Sequence, residues 1–167
     1  MIDLFNYRRR EASLVHVGAI DMGGDNPIRV QSMTTTNTND TEACIAQAKR
    51  IISAGGELVR LTTQGTREAE NLKNISAGLR ADGITTPLVA DVAALYAEKV
   101  RINPGNYVDP ARTFRHIDYT DAEYADELKK IEERFVPFLN ICREHHTAVR
   151  IGVNHGLLPD RIMSRYG

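Results

Sequence analysis

The sequence is poor in the groups that announce common chemistries. It has two cysteines, Cys44 and Cys142, far apart and both at apolar helical positions. They read as buried thiols; neither a disulfide framework nor a metal or cluster motif can be built from them. No apolar run approaches the roughly 18 residues a membrane span requires, and the mixed, charged stretch Met1 to Glu11 lacks the apolar centre of a leader. An untargeted cytoplasmic protein with no membrane partner is therefore expected. The formal net charge of -1 excludes bulk attraction to nucleic acid and leaves any anion binding to local clusters. There is no Gly-Lys-Ser/Thr phosphate loop, no nucleophile elbow and no zinc-ligand spacing. Low-complexity tracts, charge blocks and sequence repeats are also missing, and Arg8-Arg9-Arg10 reads as a solvated surface.

What is present is a rhythm. The chain has 167 residues, 42% of them hydrophobic, enough for one globular domain. Residues 13–21 alternate and meet the turn signal Met22-Gly23-Gly24-Asp25-Asn26, which predicts a small hairpin. Pro27 to Met33 reads as the first core strand, followed by the polar tract Thr34 to Asn39, either a ligand-facing loop or solvated surface. Asn39 with Glu42 suggests a capping box for a helix carrying Cys44, Ile45, Ala48, Ile51 and Ile52, ended by Gly55-Gly56. A second strand spans 57–62. Thr66 is the expected cap of a second helix with Leu72, Ile75 and Leu79 on one face, and Gly83 follows its end. Pro87 to Val92 is the third strand. Strand starts about 30 residues apart with helices between them are the pattern of βαβ units and a parallel sheet.

The fourth strand, near Val100, comes too soon. Only Ala93 to Lys99 separate it from Val92, whereas a parallel crossover takes a dozen or more residues. The expectation is that residues are missing near Val92. Beyond Asn103 the chain makes an irregular excursion to about Thr120. A helix from Asp121 then carries Leu128, Ile131 and Phe135, with Pro137 expected to kink it or start a second segment. The fifth strand spans 147–153, and Pro159 to Tyr166 begins another helix. Five parallel strands predict a partial TIM-type (β/α) barrel with a small N-terminal hairpin; the complete fold takes about 250 residues. An open doubly wound sheet is the competing architecture.

Parity within the strands carries the functional argument. Val59 and Leu61 face one way, Arg60 and Thr62 the other; Arg101 and Asn103 oppose Val100 and Ile102; Arg150, Gly152 and Asn154 oppose Val149, Ile151 and Val153. Three strands thus aim an arginine at one face, which suits a barrel interior better than a sheet sandwiched between helices. Burying a guanidinium costs several kcal/mol unless it is paired. One reading is internal salt bridges to Asp91 and Glu57, although two carboxylates do not neutralise three arginines. The other is a site for a multiply charged anion, because the guanidinium fork matches phosphate oxygens. Asn103 and Asn154 would add donors, and Asp91 would orient an arginine or accept from a ligand hydroxyl. His155, at the mouth of the fifth strand, reads as a loop residue, and His145-His146 suit a helix C-terminus.

These residues resemble a known family. Val30-Gln31-Ser32-Met33-Thr34, Val59-Arg60-Leu61-Thr62, Val89-Ala90-Asp91, Lys99 to Asn106 (Lys-Val-Arg-Ile-Asn-Pro-Gly-Asn) and Arg150 to Gly156 (Arg-Ile-Gly-Val-Asn-His-Gly) follow one another as in the 4-hydroxy-3-methylbut-2-enyl diphosphate synthases. The likeness runs from about Arg10 to Gly167. It implies a barrel that binds 2-C-methyl-D-erythritol 2,4-cyclodiphosphate and opens its ring reductively in isoprenoid biosynthesis by the methylerythritol phosphate pathway. Arg60, Arg101 and Arg150 would hold the diphosphate, beside Asn103, Asn154 and Asp91. A [4Fe–4S] cluster in a separate C-terminal domain and flavodoxin or ferredoxin as electron donor are implied for the full-length enzyme. Three departures stand out: Ala93 follows Val92 where the family continues His-Phe, Leu157-Leu158-Pro159 replaces Ser-Leu-Ser, and the later strands and cluster cysteines are absent. Residues 1–167 then correspond to the N-terminal portion of the barrel, expected to bind no cluster and to be inactive alone. Unpaired sheet edges point to a homo-oligomer. A dihydropteroate synthase-like barrel binding a pterin diphosphate and a non-catalytic phosphate-binding module are the alternatives.

Overall fold

A computed structural model describes residues 10–91, 96–103 and 119–152, together with 162, 165 and 166. The chain begins with an antiparallel hairpin, β1 (Val15–Val17) and β2 (Ile20–Met22), and continues as β3 (Gln31–Met33), α1 (Thr41–Ser53), β4 (Leu58–Leu61), α2 (Thr66–Ala81), β5 (Leu88–Asp91), β6 (Lys99–Ile102), α3 (Asp121–Glu144) and β7 (Ala148–Ile151). The five strands β3 to β7 pair in sequence order, every neighbour parallel. A doubly wound sheet reverses its strand order partway along. This one does not, and its helices lie on one side, so the architecture is that of an unclosed (β/α) barrel.

Alternation in the strands decides what each face meets. Val59, Leu61, Leu88 and Ala90 form one core with Cys44, Ala48, Leu72, Ile75 and Leu79 of α1 and α2. Val100 and Ile102 form another with Phe138 and Cys142 of α3, Val149 packing alongside. The opposite parity, Leu58, Val89 and Ala148, meets Val17, Ile20 and Met22 of the hairpin, which plugs the N-terminal end of the barrel. The two helices flanking β4 approach closely at Gly78, where an added Cβ would collide with the Ile45 side chain. Gly55, at φ 94, takes the left-handed position just beyond α1.

Several boundaries differ from the sequence reading, each for a local reason. The N-cap of α1 is Asp40, whose carboxylate accepts from the Ala43 amide at 3.0 Å, not Asn39. Thr66 is the first residue of α2; its N-cap is Gly65, with no side-chain hydrogen bond. The first core strand is only Gln31–Met33: just before it, Arg29 donates to Glu57 Oε1 and the Val30 amide to Oε2, both at 2.8 Å. Pro137 does not start a second segment, since α3 runs unbroken from Asp121 to Glu144. Proline removes one intrahelical bond, and the flanking apolar residues compensate, with the Phe135 and Phe138 rings 6.0 Å apart. A capping box of Thr120 and Glu123 fixes the start of α3. The fifth core strand is shorter than expected, Ala148–Ile151.

Strands β5 and β6 are parallel neighbours, with Asp91 opposite Arg101, although only residues 92–98 join them. The expectation of residues missing near Val92 falls on positions outside those described. So does most of the helix expected from Pro159, of which residues 162, 165 and 166 are helical.

Candidate anion site at the strand ends

Register places the predicted site residues. Asp91, Arg101 and Arg150 lie side by side in one row across β5, β6 and β7. The next row toward the N-terminal ends of the strands runs Met33, Arg60, Val89, Lys99 and Ala148. Both rows share the face opposite the helices, since Val89 and Ala148 pack on the hairpin. Arg60, Arg101 and Arg150 therefore project into the barrel interior. Asn103, two residues beyond Arg101, is 8% exposed. Asn154 and His155 lie outside the described residues.

The carboxylates divide unequally among the cations. Arg60 Nη2 donates to both Asp91 oxygens, at 2.7 and 2.5 Å, so Asp91 orients an arginine. Glu57 is committed to Arg29 and the Val30 amide; those bonds hold its carboxyl below the ordinary glutamate range. It neutralises none of the three inward arginines. Among the described residues no carboxylate lies within ion-pairing distance of Arg101 or Arg150. The buried Nε of Arg60 also has no hydrogen-bond partner. A buried donor left unsatisfied costs about 1–3 kcal/mol, a cost that only a rearrangement of the Arg60 side chain toward an acceptor would relieve.

Two features missed by the sequence reading shape the same face. Gly152 lies against Arg101: a Cβ there would stand 3.2 Å from its Nη2 and 3.4 Å from its Cζ. The missing side chain lets the guanidinium lie across the end of β7. Lys99, two residues before Arg101, is buried at 7% exposure and shares the arginines' parity, the signal that could have found it. Burial first, and Arg150 second, push its ammonium pKa down.

The threonine tract after β3 is pinned at two points, with Thr35, Asn37 and Asn39 left exposed. Thr34 and Thr38 are buried; the Thr34 amide donates to the Arg60 carbonyl at 2.9 Å and Thr38 Oγ1 to the Thr62 carbonyl at 2.6 Å. With Thr62, Gln64 and Glu68 this loop lines a cavity of about 310 Å³ at the C-terminal ends of β3 and β4. Thr63 Oγ1 donates to the Asp91 carbonyl, tying the neighbouring strand end.

The two thiols lie too far apart in the fold to share an iron–sulfur cluster. Cys44 and Cys142 are buried in separate cores, and burial raises both thiol pKa values. Cluster iron requires several thiolates converging on one point. These residues do not fit the group. No described helix is long and apolar enough to cross a membrane.

A parallel barrel portion whose interior presents arginines toward its strand C-termini defines the class: a (β/α)-barrel protein with a cationic inner face. Residues 12–167 match the GcpE TIM-barrel domain, and the chain belongs to that family. Among its relatives, the 4-hydroxy-3-methylbut-2-en-1-yl diphosphate synthase (flavodoxin) of Bacteroides fragilis is 70% identical over 175 residues, covering 99% of this chain and 28% of its own length. The protein of that name from Chlorobaculum tepidum is 49% identical over 173 residues, covering 98% of this chain and 23% of its own. The chain thus spans about a quarter of the length of these curated relatives. The 175-residue alignment is longer than the 167-residue chain, so that relative carries residues with no counterpart here. A looser likeness, TM-score 0.49 with 16% identity over 87% of this chain and 64% of the other, is to a Burkholderia cenocepacia dihydropteroate synthase complexed with 7,8-dihydropteroate.

Proposed function

We propose that this chain supplies the diphosphate-binding part of a 4-hydroxy-3-methylbut-2-enyl diphosphate synthase barrel, an oxidoreductase of isoprenoid biosynthesis. The observation that carries the reading is the inward row of Arg101 and Arg150, without carboxylate partners among the described residues, beside an Arg60 whose Nε is unsatisfied. Charge-assisted hydrogen bonds contribute roughly 1.5–3 kcal/mol each, so three guanidinium groups offset their own desolvation when a diphosphate arrives. Asp91 holds Arg60 in place, and Asn103 and Asn154 supply neutral donors at the strand ends. The substrate is 2-C-methyl-D-erythritol 2,4-cyclodiphosphate. Flavodoxin, which the relatives' names carry, would be the electron donor of the full-length enzyme, and a [4Fe–4S] cluster held outside this chain would supply the reducing chemistry. The 167 residues alone bind substrate without turning it over.

Calorimetric titration with the cyclic diphosphate, a pterin diphosphate and pyrophosphate tests the reading. Selective binding of the first, weakened about tenfold or more in Arg101→Ala or Arg150→Ala, is the expected result. Equal binding of all three would leave a phosphate-binding module instead, and preference for the pterin diphosphate would replace the proposed substrate.

A further inference from the structure

The mouth cavity of about 310 Å³ at the ends of β3 and β4 has a chemistry of its own. Thr62, one residue past β4, keeps the inward parity of Arg60 and lines that cavity. Two residues of extended chain advance about 6.6 Å, comparable with the reach from a phosphate across a short polyol. Thr62 is half-buried. Its carbonyl is taken by Thr38, while its hydroxyl has no hydrogen-bond partner among the described residues. Glu68, in the first turn of α2, lines the same cavity. Its Oε1 accepts from Asn39 Nδ2 at 3.0 Å, which sets the orientation of the carboxylate. Its Oε2 uses the room left at Gly65, where an added Cβ would stand 3.0 Å away. Among the described residues no lysine or arginine lies within ion-pairing distance of Glu68, and none of the cavity-lining residues is cationic.

This composition decides between occupants. A second phosphate would meet an uncompensated carboxylate of its own sign and no cation. An apolar group would strand Thr62 and Glu68 without partners, at a cost. A hydroxyl suits both: it accepts from Thr62 Oγ1 and donates to a Glu68 oxygen in a charge-assisted bond. We propose that this cavity recognises the hydroxyl groups of the ligand whose diphosphate the inward arginines hold. Thr62 and Glu68 are then specificity-determining residues that separate a polyol diphosphate from a bare one, and Asn39 is the positioning residue behind Glu68. The inference rests on the diphosphate reading of Arg60, Arg101 and Arg150 and adds the neutral half of the ligand to it.

The test compares two ligands that differ in hydroxyl groups. The 167-residue chain and its Thr62→Val, Thr62→Ser and Glu68→Gln variants are titrated calorimetrically with the cyclic diphosphate and with pyrophosphate, in EDTA and again with magnesium, after thermal melts show that each is folded. Thr62→Val and Glu68→Gln should each weaken cyclic diphosphate binding about tenfold and leave pyrophosphate binding within about twofold, while Thr62→Ser, which keeps the hydroxyl, should bind like the parent chain. A parent that prefers the cyclic diphosphate, with the same preference kept in Thr62→Val and Glu68→Gln, would overturn this inference and leave the diphosphate reading intact. Equal losses for both ligands would overturn it too, because the residues would then serve the anion site. An effect of Glu68→Gln seen only with magnesium would make the cavity a cation site instead. A parent with no preference for the cyclic diphosphate would fail the diphosphate reading itself, and this inference with it.

Discussion

The two faces of one sheet are built on opposite rules. On the helix side Val59, Leu61, Leu88, Ala90, Val100 and Ile102 are essentially inaccessible and pack in apolar clusters. On the inner side the same strands carry Arg60, Asp91, Lys99, Arg101 and Arg150, and only the hairpin end is apolar. The outer face holds the fold together; the inner face stores charge that the described part of the fold does not neutralise. Stability and binding should therefore separate by residue parity.

The largest effect is expected on the outer side. Leu79→Ala opens a cavity in the core shared by α1, α2 and β4 and should cost about 2–5 kcal/mol in urea unfolding, with pyrophosphate affinity unchanged in the folded fraction. Weakened pyrophosphate binding by the folded fraction of Leu79→Ala would break the division. Asp91→Ala comes next. It strips Arg60 of its carboxylate in a pair that is about a fifth exposed, so about 1–3 kcal/mol is expected. Anion affinity should fall as well, because Arg60 loses its orientation; a gain in affinity would mean that Asp91 competes with the ligand. Gly152→Ala should be smaller still. The clash falls on the mobile end of Arg101, so stability should move by no more than about 0.5 kcal/mol while pyrophosphate affinity drops several-fold by calorimetry.

The smallest effect concerns acid. Glu57 titrates lower in the folded chain than in the unfolded one because it accepts from Val30 and Arg29. A depressed carboxyl contributes stability above the ordinary glutamate range and loses it as pH falls through the folded value. Urea unfolding across that interval should show a shallower loss for Glu57→Gln than for the parent chain; parallel curves would remove the effect.

Parity was legible in the sequence because a strand's period of two survives any error in its ends. It correctly set Arg60, Arg101 and Arg150 against the helix-packing residues, and the βα rhythm correctly implied parallel pairing. Register was not legible: nothing in the strands alone says that Asp91 stands beside Arg101 while reaching back to Arg60. Helix caps were misplaced by one residue at Asp40 and Gly65, since Asn39, Asp40 and Thr66 all have the right chemistry and only backbone angles choose among them. Lys99 was overlooked although the same alternation places it inward. A lysine beginning a strand looks like surface until a hairpin is seen to cover it.

The lengths of the longer crossovers bear on how the chain finds its shape. Residues 34–57 connect β3 to β4 and 62–87 connect β4 to β5, whereas 103–147 connect β6 to β7. Loop-closure entropy grows by about 0.6 kcal/mol for each doubling of length, so the first two crossovers close at slightly less cost than the last. Early contact there would assemble the half of the sheet that α1 and α2 cover before β7 joins its edge.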